Sequence, residues 1–133
     1  MLDFETSHLP GKLEVLEAAT KELGFNFGSD RQTGTLLRTL AATKPGGRFL
    51  ELGTGTGLGI VWILSGMDAA ATLSTVDIED EVVSVARRHL GDDPRVIFQL
   101  EDGSRFIEAQ AARSFDFIFP DTWPGKYKIW LKH

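Results

Sequence analysis

"RFLELGTGTGLGIVWIL", Arg48 to Leu64, sets four glycines within the seven residues from Gly53 to Gly59, between two apolar runs. "RFLEL" reads as a strand and "GIVWILSGM" as an apolar helix, so the glycines occupy a strand-to-helix turn. In a parallel α/β sheet, ligands bind beyond the carboxyl ends of the strands, and the loop after the first strand is the usual contact. Glycine there permits positive φ and close approach of a ligand, and the free amides at a helix start favour partial negative charge. Two nucleotide patterns fail on inspection. A P-loop needs a lysine after its last glycine, and none follows here. A dinucleotide fingerprint, G-x-G-x-x-G or A, puts its third position on Leu58 counted from Gly53 and on Ile60 counted from Gly55. What remains is E-x-G-x-G-x-G, from Glu51 to Gly57. The competing explanation is a tight turn that needs glycine for its own geometry.

Outward from this turn, helix and strand signals alternate. Upstream, "PGKLEVLEAATKELG" places Leu13, Leu16 and Leu23 on helical spacing, with Pro10 suited to the first turn and Gly24 to the stop. "SDRQTGTLLRTLAATKPGG" repeats the device: Ser29 or Asp30 caps, and Leu36, Leu37 and Leu40 form the stripe. Downstream, "TLSTVDI" is a β-branched strand, and "EDEVVSVARRHLG" a helix whose acidic start and basic end suit its dipole. "RVIFQL", "SRFIEAQAA" and "FDFIFP" follow as strand, helix and strand. This βαβαβαβ order predicts an α/β fold, a Rossmann-like doubly wound parallel sheet with helices on both faces. Residues 1–133 are expected to form a single domain, an N-terminal helical segment (1–28) followed by an α/β core (29–133).

Composition narrows the partners. The chain of 133 residues carries a net charge of -5, which argues against a nucleic-acid partner held by phosphate contacts. There is no cysteine, hence no disulfide frame, thiolate nucleophile or zinc-thiolate site. No apolar run approaches the roughly 20 residues that span a bilayer, and the N-terminus lacks a secretory pattern. A cytoplasmic location with no membrane partner is expected. His8, His89 and His133 share no spacing that makes a metal site or triad, and Trp62 reads as core.

The pattern from Glu51 to Gly57 resembles the first motif of class I S-adenosylmethionine-dependent methyltransferases. From Ser29 to Tyr127 the chain is similar to the small-molecule O-methyltransferases that include the catechol-type enzymes. "LELGTGTGLG", "TVDIED", "EDGSRF" and "FDFIFPDTWPGKY" follow in the family's order. The resemblance implies S-adenosyl-L-methionine as cofactor, S-adenosylhomocysteine as product, and a small hydroxylated molecule as substrate. It implies that Gly53, Thr54, Gly55 and Gly57 pass beneath the methionine and ribose moieties and that Glu51 faces the ammonium group. Asp77 would take both ribose hydroxyls, Ile78 would pack on adenine, and Asp102 with Gly103 would approach adenine's amino edge. Each carboxylate has a local competitor: an internal pairing for Glu51, and helix caps for Asp77 and Asp102. Trp123, beside Asp121, would wall the pocket or pack the loop.

Methyl transfer from an activated sulfonium asks mainly for in-line positioning and removal of a proton. In catechol-type relatives a divalent metal, held by an aspartate after the fourth strand, assists. Asp121 matches that aspartate, and "DTW" matches the family's Asp-x-Trp. The next position, a lysine base in those relatives, is Pro124 here, with Lys126 displaced from it. Asp121 and Lys126 are the catalytic candidates, and Asp121 also counts among the cofactor-side residues. The other metal ligands belong to a later strand that this sequence does not contain, so no metal site is assigned. The family continues through a further helix and three strands, which makes the sequence read as truncated after the fourth strand. A catalytically inactive cofactor-binding or interaction module is therefore an alternative, and a nicotinamide-dependent oxidoreductase a weaker one. "FDFIF" is expected as an exposed edge, with Phe115, Phe117 and Phe119 on one face and Asp116 with Ile118 on the other. Pairing through this edge and the "YKIWL" tail would give a homo-oligomer.

Overall fold

The computed structural model describes residues 9–25 and 28–121. Two helices precede the sheet: α1 (Leu13–Leu23) and α2 (Arg31–Ala42). Then β1 (Arg48–Leu52), α3 (Leu58–Gly66), β2 (Thr72–Asp77), α4 (Asp80–Leu90), β3 (Val96–Leu100), α5 (Gly103–Glu108) and β4 (Phe117–Pro120) alternate as the pattern requires. The four strands lie in the order β3-β2-β1-β4, every pair parallel, so all carboxyl ends share one edge. This is the methyltransferase-type order of a Rossmann-like sheet.

Side-chain alternation along the strands makes two cores. Phe49 and Leu73 face the layer formed by α1 to α4, whose buried members include Leu16, Leu37, Trp62 and Ile63. Leu50, Leu52 and Val76 point the other way, onto Phe106 of the short α5, with Ile107 and Phe115 packed alongside. Helices thus cover both faces, but unequally. On the second face Ile97 and Ile118 remain about half exposed, at 47% and 50%. Among the described residues, no helix is long and apolar enough to cross a membrane.

Helix α3 is buried from Leu58 to Leu64 because it lies between the sheet and α2, which explains a run with no polar stripe. Its Trp62 ring presses on α2 at Gly34, where any side chain would collide with the indole. The Arg38 guanidinium stacks 4.7 Å from that ring's centre and donates to Ser65 Oγ. Contact with Trp62 sets the rotation of α2. The buried row is Gly34, Leu37 and Ala41, and Leu36 and Leu40 are exposed, unlike the stripe the leucines suggest. In α1 the row is Leu13, Leu16 and Thr20, and Leu23 at the last position lies toward solvent. Asp30, not Ser29, caps α2: the Thr33 amide donates to its carboxylate at 2.7 Å, which lowers its pKa.

Strand β4 begins at Phe117, later than the aromatic alternation implies. Phe117 and Phe119 pack toward the thick helical layer, as expected. Phe115 does not join them; it precedes the strand and meets Phe106 on the opposite face, with ring centres 6.3 Å apart. The turn into the strand is fixed by Asp116, whose carboxylate accepts from the Arg48 amide at 2.8 Å.

Candidate functional site

Parallel strands deliver three carboxylates to one edge of the sheet. Glu51 is the fourth residue of β1, Asp77 the last of β2, and Asp121 immediately follows β4. The β1–β2 register sets Glu51 beside Thr75, and the β1–β4 register sets it beside Phe119. Asp121 is held by its own amide, which donates to the Leu52 carbonyl at 2.7 Å. Its carboxylate accepts from Ser29 Oγ at 3.4 Å, which links the start of α2 to the site.

Between these groups runs the glycine loop. Gly53, Gly55 and Gly57 have φ of 103°, 55° and 100°, a left-handed run that side chains would strain. The loop is pinned to its neighbour strand, since Gly53 N–H donates to Val76 O at 2.7 Å and Gly55 N–H to Asp77 Oδ2 at 2.9 Å. It is also pinned from above. Thr56 Oγ1 lies 2.6 Å from Thr20 Oγ1 of α1, and the Phe25 ring sits against Gly55. The N-terminal helix therefore belongs to the architecture of this loop.

Glu51 is the unusual member. It is 1% exposed, and it turns toward α3, where Gly59 leaves room for its carboxyl group. Any side chain at position 59 would collide with it, which accounts for the fourth glycine of the stretch. Thr75 Oγ1 donates to Glu51 Oε1 at 2.8 Å. Burial pushes the Glu51 carboxyl well above the ordinary glutamate range; the Thr75 hydrogen bond opposes this, and repulsion from Asp121 and Asp77 adds to it. A buried carboxyl facing two others has an evident complement, a cation.

Asp77 is half-buried and already engaged. Its Oδ1 accepts from the amides of Ile78 at 2.7 Å and Glu79 at 3.0 Å, and its Oδ2 accepts from Gly55. It thus tethers the loop rather than capping α4, at whose N-cap Glu79 makes no side-chain hydrogen bond. One acceptor position stays open on Oδ2, so gripping two hydroxyls requires Oδ1 to release a backbone donor. Ile78 is 66% exposed beside it. Asp102 caps α5 by accepting from the Arg105 amide at 3.1 Å, and Gly103 opens that helix. Lys126 and Trp123 lie outside the described residues. Among the described residues, no group of three or more histidines and carboxylates is placed to hold a metal ion.

The sequence assigns no role to some of this site. Thr20 and Phe25 touch the loop with no motif behind them, and Thr75 and Gly59 lie inside quoted motifs that do not tie them to Glu51. The available signal is a polar residue at an inward strand position, as in "TLSTVDI", where Leu73 and Thr75 face the same way.

No family profile matches the chain. It is similar to a probable O-methyltransferase of Mycobacterium tuberculosis, 30% identical over 127 residues, which cover 89% of this chain and 57% of that protein. A methyltransferase from Geobacter sulfurreducens, 26% identical, superposes with a TM-score of 0.73 over 87% of this chain and 59% of its own. The O-methyltransferase TomG from Streptomyces achromogenes, solved in complex with SAM, superposes with a TM-score of 0.77 at 21% identity, over 89% of this chain and 56% of its own. At that identity the likeness concerns the fold. The chain spans somewhat more than half the length of the relatives it matches.

Proposed function

We propose that this chain, which belongs to the class I S-adenosylmethionine-dependent O-methyltransferase family, forms the cofactor-binding part of an enzyme that methylates a small hydroxylated molecule. The observation that carries the reading is the convergence of Glu51, Asp77 and Asp121 around a left-handed glycine loop. S-adenosylmethionine is a cation with an ammonium tail and a ribose diol, and it has no phosphates to neutralise. Three carboxylates with no lysine or arginine among the loop residues suit that ligand and repel a pyrophosphate. The same argument disfavours NAD, in agreement with the failed fingerprint.

In this reading Glu51 pairs with the ammonium group from beneath the loop. Asp77 accepts from the ribose through its open Oδ2 position. Ile78 offers an exposed apolar face to the adenine ring, and Asp102 with Gly103 lies at its amino edge. Gly53, Thr54, Gly55 and Gly57 let the ligand approach the backbone. Asp121 completes the negative rim, with Trp123 as pocket wall and Lys126 as a proton acceptor. The bound cofactor would supply an activated methyl group; the protein's task is to orient it and to exclude water. Because cysteine is absent, a reducing cytoplasmic setting suits the protein.

Parallel calorimetric titrations with S-adenosylhomocysteine and with NAD test the proposal. Binding of the first and not the second is expected. Binding of NAD alone would replace this reading with the oxidoreductase one.

A further inference from the structure

Beneath the glycine loop runs a short relay of hydroxyl groups that packing does not account for. Thr75 is fully buried on β2, and Thr54 of the loop is 3% exposed. Their Oγ1 atoms lie 2.8 Å apart, and Thr75 Oγ1 also lies 2.8 Å from Glu51 Oε1. A hydroxyl has a single proton, so when Thr75 donates to an ionised Glu51, Thr54 must donate to Thr75. Valine would fill the same space at position 75, and an inward strand position against a helical layer favours it. A hydroxyl there has a purpose other than volume.

The groups facing Glu51 sharpen the point. Asp77 approaches from β2 and Asp121 from the end of β4, both acidic. Helix α3, packed directly over the carboxyl group, has no titratable residue from Leu58 to Gly66. Among the side chains of these neighbours, the Thr75 hydroxyl is the donor that favours the carboxylate.

Resting on the reading of this site as one for S-adenosylmethionine, we propose that Thr75 is a positioning residue, holding the Glu51 carboxylate for the ligand's ammonium group and tying it through Thr54 to the glycine loop. A hydrogen bond to the charged form favours ionisation. Without it, Glu51 ionises only at higher pH, and the site accepts a cation only from that pH upward.

The test uses carboxyl-labelled glutamate and NMR titration of the ligand-free protein, with S-adenosylhomocysteine affinity measured across the same pH range. Thr75→Val is expected to raise the Glu51 midpoint by about one pH unit and to weaken binding about tenfold at neutral pH. The loss should shrink as pH rises, because both proteins then hold an ionised Glu51; a purely structural defect would persist at every pH. Thr75→Ser should restore both quantities. If Thr75→Val does not fold, Thr54→Val serves instead, with a smaller shift in the same direction. An unchanged Glu51 midpoint in the folded variant overturns the proposal. A parent protein that binds no S-adenosylhomocysteine overturns the cofactor reading, and with it the role toward the ligand, whatever the midpoint does.

Discussion

Glu51 concentrates the conflict between stability and binding in this protein. Its folded-state pKa is raised by burial, so the stability consequence runs opposite to that of a salt-bridged acid. Below the ordinary glutamate range the carboxyl is protonated in both folded and unfolded chains and costs nothing. As pH rises above it, the unfolded chain ionises freely and the folded one does not, so the fold loses stability until the raised value is passed. Glu51→Gln keeps the shape and removes the charge. Urea unfolding should find this variant more stable than the parent at pH 8 and equal to it near pH 4, and it should bind S-adenosylhomocysteine more weakly. A variant less stable than the parent at both pH values would refute this account of Glu51. That Glu51 and Asp77 stand at the same end of the sheet, beside the glycine loop, was legible in the sequence, because a carboxylate before a glycine run and another closing the next strand are local patterns. Thr75 was not legible, because its partner lies 24 residues away and only the strand register brings them together.

At the scale of elements, the order of helices and strands followed from hydrophobic periodicity, but the facing of two helices did not. Leucine is a poor guide to orientation when the closest approach needs a glycine. The indole of Trp62 fixes α2 through Gly34, which rotates Leu36 and Leu40 toward solvent. Gly34→Val should therefore destabilise the protein by about 1–3 kcal/mol, the usual cost of overpacking. Leu36→Ser should be close to neutral, since Leu36 is 57% exposed. Thermal unfolding of the two variants decides between this orientation and the leucine stripe. Phe115 teaches the same lesson in a strand: alternation predicts a face only where the backbone is extended, and β4 begins two residues later.

For the whole molecule, the parallel sheet and its order were readable from the alternation and from the family resemblance. The unequal cover of its two faces was not, because it depends on how short α5 is. Ile97 and Ile118 leave apolar surface on the second face, and among the described residues β4 pairs only with β1. A strand paired on one edge among the described residues, beside an apolar face, is a template for association. Sedimentation velocity at micromolar concentration should show a dimer or larger species, and a clean 14.7 kDa monomer would contradict that expectation. The central claim is more specific than assembly: a cluster of carboxylates around a left-handed glycine loop binds the ribose diol and ammonium tail that S-adenosylmethionine shares with its thioether product. Calorimetric titration of S-adenosylhomocysteine into the parent and into Asp77→Ala tests it most directly. The account predicts one site per chain in the parent, weakened by about 1.5–3 kcal/mol in the variant, the range for a hydrogen bond to a charged group. Equal affinity in both proteins, or no binding by a folded parent, would contradict it.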